Sequence, residues 1–237
     1  MDIIVTTECN RKCQGCCYLF NKYKKGEFLD ADTIIKEMRM IRPIIEEEGF
    51  ASIIGGETFL YPDLVKVMKE LQEYNIVSCT IFTNGTIYPD YLEELCKVAN
   101  DKVWIFIGGY GNPEIMQQIK DMCEKYNVHC PIRPDDMDWV EHGDFIDHNE
   151  EKITFCDFRY STLMKGKVFA CGRFAQAWNL GLIKLEDMDD NEWVDIYEDT
   201  DFKKCRELSS QRFDTFSSTC KYCLRGSKKC VSITQGK

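Results

Sequence analysis

Short apolar runs and longer amphipathic stretches take turns along this chain. The run Asp2 to Thr6 reads as a strand. Asp30-Ala31-Asp32-Thr33 is an N-cap signal, and Ile34, Ile35, Met38, Ile41 and Ile45 follow at helical spacing. The strand Ala51-Ser52-Ile53-Ile54 then leads into Gly55-Gly56-Glu57. Pro62 falls at the first turn of a second helix, where its missing N–H costs nothing; that helix carries Leu64, Val67, Met68 and Leu71. A strand from Ile76 to Phe82 ends in Thr83-Asn84-Gly85, and a helix opening at Pro89 carries Leu92, Leu95, Cys96 and Val98. A strand from Val103 to Ile107 ends in Gly108-Gly109, and Asn112-Pro113 caps a helix with Ile115, Ile119 and Met122 on one face. A last strand, Val128 to Ile132, ends at Arg133-Pro134.

Short β-rich runs alternating with helices imply parallel βαβ units and an α/β fold. About five units are too few for a closed eight-stranded barrel, so the pattern predicts a partial, open (β/α) barrel. In such a fold the residues after each strand gather at one mouth, which is where ligands bind. The pattern weakens after Pro134, where Asp135, Asp136, Asp138, Glu141, Asp144, Asp147, Glu150 and Glu151 form an acidic, loop-like segment that reads as a solvated linker. Beyond it, two β-rich runs flank the hairpin-like turn Lys165-Gly166, and a helix is expected from Trp193 to Leu208. The expected domains are therefore 1–150 and a small α+β domain over 151–237.

With 237 residues, a charge of −10 and short basic patches, the chain lacks the clustered Lys and Arg of a nucleic-acid surface. No apolar run is long enough to span a membrane. The first strand begins at once, so no signal peptide is expected and a cytoplasmic setting is. There the 14 cysteines are expected to be reduced thiols and metal ligands rather than disulfides. Three histidines without an H-x-x-x-H pair make a histidine-based zinc catalytic site a poor fit.

The chemistry concentrates at Cys9-Asn10-Arg11-Lys12-Cys13-Gln14-Gly15-Cys16, directly after the first strand. A C-x3-C-x2-C loop points three soft thiolates at one centre, which suits an iron–sulfur cluster with one iron lacking a protein ligand. A structural zinc site would recruit a fourth ligand and close, and a cysteine-rich zinc loop is the alternative. Cys17 reads as a bystander, because adjacent cysteines rarely face one metal. Cys79, Cys96, Cys123 and Cys130 lie on apolar faces and read as small buried hydrophobes.

This array, with its Thr7-Glu8-Cys9-Asn10 lead-in, resembles the radical S-adenosylmethionine (SAM) superfamily. It departs at Gly15, where the family usually carries an aromatic. The resemblance implies a 4Fe–4S cluster on Cys9, Cys13 and Cys16 that binds SAM and cleaves it to a 5′-deoxyadenosyl radical. Gly55-Gly56-Glu57 resembles the family's GGE motif, whose backbone accepts the SAM ammonium. Thr83 and Asn84 stand where the family often has polar residues near the SAM ribose; an ordinary Asn-Gly turn is the alternative. Glycine at 108 and 109 leaves a polar contact from the fourth strand without a residue to make it.

Cys156, Gly166 and Cys171 make C-x9-G-x4-C, and Cys220-Lys221-Tyr222-Cys223 adds a distant C-x2-C. This resembles the start of the SPASM pattern, or its shorter Twitch form, which holds auxiliary 4Fe–4S clusters. The resemblance implies a second cluster on Cys156, Cys171, Cys220 and Cys223, with Cys205 and Cys230 as spare thiols. A structural zinc is the alternative at this site.

In overall plan the chain is similar to the aminocyclitol dehydrogenases of that superfamily. This implies oxidation of a sugar or cyclitol alcohol, with Arg133 positioning an anionic or hydroxylated substrate or taking its proton. Maturation of a ribosomally made peptide, by cross-linking or epimerisation, is the rival enzyme reading. A zinc-stabilised binding module is the non-enzyme one. The expected partners are a small-molecule or peptide substrate and an electron donor such as flavodoxin or ferredoxin, with neither nucleic acid nor membrane.

Overall fold

The computed structural model describes residues 1–109, 111–133, 139–148, 156, 160–210, 216–225 and 232–233. The chain divides into two compact units, Met1–Asn10 with Lys25–Met137 and Arg11–Lys24 with Asp138–Lys237. The segment Arg11–Lys24 thus leaves its sequence neighbours and folds with the C-terminal part.

The first unit contains β1 (Asp2–Thr6), α1 (Ala31–Met40), α2 (Arg42–Glu48), β2 (Phe50–Gly55), α3 (Leu64–Leu71), β3 (Ser78–Thr83), α4 (Leu92–Val98), β4 (Val103–Ile107) and α5 (Pro113–Lys125). Each strand pairs in parallel with the next, β1 with β2, β2 with β3 and β3 with β4. Parallel neighbours need crossovers, and the helices supply them. Ile3, Ile4 and Val5 are buried, as are Ile53, Ile81 and Ile105 on the next three strands. The run in β1 is what a parallel strand covered on both faces requires, while β3 and β4 alternate buried and more exposed positions.

The helices begin where polar residues can cap them. Asp30 accepts from the Thr33 N–H at 2.8 Å, and Asn112 accepts from the Glu114 N–H at 2.8 Å. The single helix expected through Ile45 is two, broken at Ile41, with Pro43 in the first turn of α2. Proline has no N–H to give and crowds the preceding turn, so the helix restarts there. The expected fifth strand survives as bridges from His129 to Trp104 and from Ile132 to Ile107. Between them Pro131 only accepts, from the Ile107 N–H at 3.0 Å. This unit is an open, partial (β/α) barrel of mixed α/β type.

The second unit contains β5 (Trp139–Val140), β6 (Thr162–Met164), β7 (Lys167–Phe169), α6 (Gly172–Asn179), β8 (Trp193–Asp195), α7 (Lys203–Ser209) and β9 (Ser232–Ile233). β6, β7 and β8 form an antiparallel meander, and β5 pairs with β9. Lys165 and Gly166 turn the first hairpin with φ of 48° and 73°. Two left-handed residues match the twist of the flanking strands.

The helix expected from Trp193 to Leu208 is a correction. Trp193 to Asp195 pair with β7, placing Val194 opposite Val168. The helix α7 starts only after Phe202, which is left-handed at φ 55°. An aromatic and a β-branched residue beside an open sheet edge outweigh a weak helical period. The helix α6, which follows Cys171, is an element beyond those expected from the sequence, with Phe174, Ala175 and Ala177 buried. Cys230 lies outside the described residues. No helix among the described residues is long and apolar enough to cross a membrane.

Candidate functional site

Parallel register brings the four strand ends of the first unit to one edge, with Thr6 beside Gly55 and Thr83 beside Ile107. The Cys9 lead-in, Gly55-Gly56-Glu57, Thr83-Asn84 and Gly108-Gly109 therefore all leave from that edge. Residues 26 and 27 clasp the lead-in. Gly26 donates to Glu8 Oε2 at 2.8 Å, and the Thr7 N–H donates to the Glu27 carbonyl at 3.0 Å. A Cβ on Gly26 would lie 2.3 Å from the Glu8 backbone, so only glycine closes this clasp.

Both glycines of the second strand end are in use. A Cβ on Gly56 would meet the Glu8 carbonyl oxygen at 2.4 Å and the Cys9 Cβ at 2.6 Å. The Gly56 N–H donates to the Thr6 carbonyl at 3.1 Å, and the Glu57 N–H to the Glu8 carbonyl at 2.9 Å. The absent side chains thus let the base of the cysteine loop lie directly on this turn.

Glu57 is 1% exposed, and both its oxygens are taken by the first unit's own loops. Oε1 accepts from the Phe59 N–H at 2.8 Å and from Thr83 Oγ1 at 2.7 Å. Oε2 accepts from the Asn84 N–H at 2.7 Å. Burial pushes this carboxyl above its ordinary range, and the three donors pull it partly back. Asn84 is also committed: its Nδ2 donates to Asn10 Oδ1 at 3.0 Å, and its Oδ1 accepts from the Thr86 N–H at 2.9 Å. Asn10 donates in turn to Thr86 Oγ1 at 2.7 Å. Glu57, Thr83 and Asn84 therefore form a brace across the strand ends. Arg133 is positioned beside it by its backbone: its N–H donates to the Ile107 carbonyl at 2.9 Å, and its carbonyl oxygen fills the space a Cβ on Gly109 would need.

The three cysteines of the first array are divided between the units, Cys9 in the first, Cys13 and Cys16 in the second. Burial, with some help from Cys13, raises the Cys16 thiol above its ordinary range, against the pull of the Phe20 backbone. Cys17 is raised further, again chiefly by burial.

The second array lies wholly within the second unit. Cys171 is the N-cap residue of α6. Burial pushes its thiol up to about 12, and Cys156, Cys223 and Cys220 each lie close enough to add to the rise. Among the described residues no three Cys, His, Asp or Glu side chains meet at a point that could hold a single metal ion. The Cys171 thiol is thus costly to ionise by itself. A cationic iron–sulfur core reverses that cost, so this all-sulfur donor set fits one.

Two residues that the sequence did not single out hold this array. Glu192 is fully buried; its Oε1 accepts from the Thr219 N–H at 2.8 Å and its Oε2 from Thr219 Oγ1 and the Asp189 N–H, each at 2.7 Å. Its backbone carbonyl accepts from Ala170 at 2.8 Å. One residue thus fixes the neighbours of both Cys220 and Cys171. His142 Nδ1 lies 3.9 Å from Cys223 Sγ, and its carbonyl accepts from the Leu224 N–H at 3.0 Å. Nothing in an acidic stretch distinguishes Glu192 from its neighbours, because its importance comes only from the loop that meets it.

An open parallel barrel edge with a cysteine loop after its first strand and a glycine turn after its second defines a class of SAM-dependent enzymes. Residues 3–128 match the radical SAM superfamily, which is more than half of the chain. The chain belongs to that superfamily and is an enzyme of it. Membership brings SAM and a 4Fe–4S cluster as cofactors. The chain is 28% identical over 104 residues to a probable GTP 3′,8-cyclase of Methanococcus maripaludis, covering 42% of this chain and 33% of that one. It is 28% identical over 135 residues to a probable GTP 3′,8-cyclase of Archaeoglobus fulgidus, covering 52% and 44%. The matches span between a third and a half of the length of these curated relatives. The crystal structure of BtrN in complex with AdoMet and 2-DOIA superposes with a TM-score of 0.51 at 19% identity, covering 88% of this chain and 85% of that one. That likeness bears on the fold.

Three outcomes test the braces. Glu57→Gln turns one acceptor into a donor facing N–H groups, and should destabilise the protein by about 1–3 kcal/mol in urea denaturation. Its folded pKa lies above the unfolded value of 4.5. Its contribution is therefore full below the unfolded value and falls as pH rises through the folded one. The wild type should lose stability across that window relative to the Gln variant, and parallel pH profiles would contradict the shift. Gly56→Ala should cost about 1–3 kcal/mol by overpacking against Cys9, read as a lowered thermal midpoint together with reduced iron content. Glu192→Gln should cost a similar amount, about 1–3 kcal/mol, and loosen the second array, seen as faster alkylation of Cys171 and Cys220 in the metal-free protein.

Proposed function

We propose that this enzyme oxidises an alcohol of a sugar or cyclitol to a ketone. The observation that carries the reading is the second thiol set, in which Cys156, Cys220 and Cys223 lie close enough to Cys171 to raise its thiol. Alcohol oxidation by a radical leaves one electron over. The carbon-bound hydrogen leaves as an atom to the adenosyl radical, giving 5′-deoxyadenosine. The hydroxyl proton goes to a base, and the last electron needs an acceptor. Cys9, Cys13 and Cys16 would hold the 4Fe–4S cluster whose chemistry is reductive SAM cleavage, and Cys156, Cys171, Cys220 and Cys223 would hold a second one suited to accept an electron. In this reading residues 1–150 are the radical SAM core and 151–237 a Twitch-like domain. The coverage of most of both chains in the match to BtrN supports it.

The chain's own residues supply binding and shape. The carbonyls at Gly55 and Gly56 accept the SAM ammonium. Thr83 and Asn84 act through the brace, since their side chains are held by Glu57 and Asn10. Arg133, at the same edge, orients a hydroxylated or anionic substrate. An electron donor such as flavodoxin or ferredoxin supplies the first electron.

The test is iron and sulfide content of anaerobically purified protein, then dithionite, SAM and a set of cyclitols and amino sugars. About eight irons per chain, 5′-deoxyadenosine and a ketone product are expected. About four irons with SAM cleavage would remove the second cluster, and the dehydrogenase reading with it. A cross-linked or epimerised peptide as the product would transfer the chain to peptide maturation. Arg133→Ala should lower ketone formation about ten-fold or more while leaving iron content unchanged.

A further inference from the structure

The helix α6 serves both cysteine arrays at once. Its N-cap is Cys171, and one face of it holds the segment Arg11–Lys24, which carries Cys13 and Cys16. Gly172 lies under the Tyr18 ring, where a Cβ would come within 2.1 Å of Cε1. Gln176 accepts from the Tyr23 hydroxyl at 2.6 Å, and Asn179 Nδ2 donates to the same oxygen at 2.8 Å. Positions 172, 176 and 179 recur at helical spacing and define that face.

Arg173 sits at the start of it and is 1% exposed. Its Nη1 donates to the Cys17 carbonyl at 3.3 Å, and its Nη2 to the Gly143 carbonyl at 2.5 Å. Its Nε is buried without a hydrogen-bond partner among the described residues. Gly143 follows His142, which faces Cys223. The guanidinium also lies 5.8 Å from the centre of the Phe145 ring, which stacks on Tyr222 of the C-x2-C loop. One buried cation thus touches the backbone beside Cys16, the loop against Cys223, and the helix that Cys171 caps.

A buried guanidinium met by carbonyl dipoles is costly unless negative charge lies near. Three or four thiolates on a 4Fe–4S core carry net negative charge, and reduction adds one more. We propose that Arg173 is the shared positioning residue and counter-charge of both cysteine sites, favouring the reduced state of each cluster and so raising its reduction potential. The proposal rests on the reading that both arrays hold clusters.

The experiment is an EPR-monitored redox titration of the anaerobically reconstituted full chain, comparing wild type, Arg173→Lys and Arg173→Gln. Lysine keeps the charge and loses the fork; glutamine keeps a donor and loses the charge. Both clusters should titrate at clearly lower potential in the Gln variant and close to wild type in the Lys variant, with EPR line shapes marking each cluster. Equal potentials in the two variants would overturn the counter-charge. Loss of both clusters from both variants would show packing alone and would overturn it too. A wild type holding one cluster by iron and sulfide content would remove the two-cluster reading, and this inference with it. A two-cluster wild type with unshifted potentials in the Gln variant would remove the inference alone.

Discussion

A carboxylate withdrawn from water must be met by donors, and the first unit is arranged around one such encounter. Glu57 ends the β2 turn and gathers donors from its own turn and from the end of β3. Because Asn84 also holds Asn10, the same brace reaches the residue after Cys9. The glycines before Glu57 make it workable, since any side chain at 56 would displace Cys9. The Gly55-Gly56-Glu57 turn is therefore structural. Its acid is consumed in fixing the shape of the edge from which a ligand would be held.

The second unit repeats the device with other residues. Glu192 is as deeply buried, and its carboxylate is filled by Thr219 and Asp189. Its backbone holds Ala170. In both units a buried acid draws backbone N–H and threonine hydroxyl donors from the segments beside a cysteine-bearing loop. Such a brace costs desolvation, and it gives direction: each N–H has one place to go.

Much of the first unit was legible beforehand. β4 begins and ends where its apolar run does, and α5 starts at the Asn112-Pro113 cap. These are local signals, carried by sterics and by hydrogen bonds between near neighbours. The differences have both distant and local causes. Trp193 to Asp195 became a strand because β7 offered an edge. The helix through Ile45 broke because Pro43 outweighed an unbroken apolar period. The fifth strand shrank to bridges around Pro131.

By itself the sequence determined the alternating α/β order, the cysteine spacing and the glycine turn, because each depends on residues a few positions apart. The membership of the radical SAM superfamily follows from the same local record. Only the tertiary structure decided that Arg11–Lys24 folds with the C-terminal part, that Glu57 and Glu192 are braces, and that Arg173 is buried between two cysteine-bearing segments. Those facts depend on pairs up to 156 positions apart, Arg173 and Cys17 among them. An acid or an arginine looks the same in sequence whether water or a loop surrounds it, and only packing settles which.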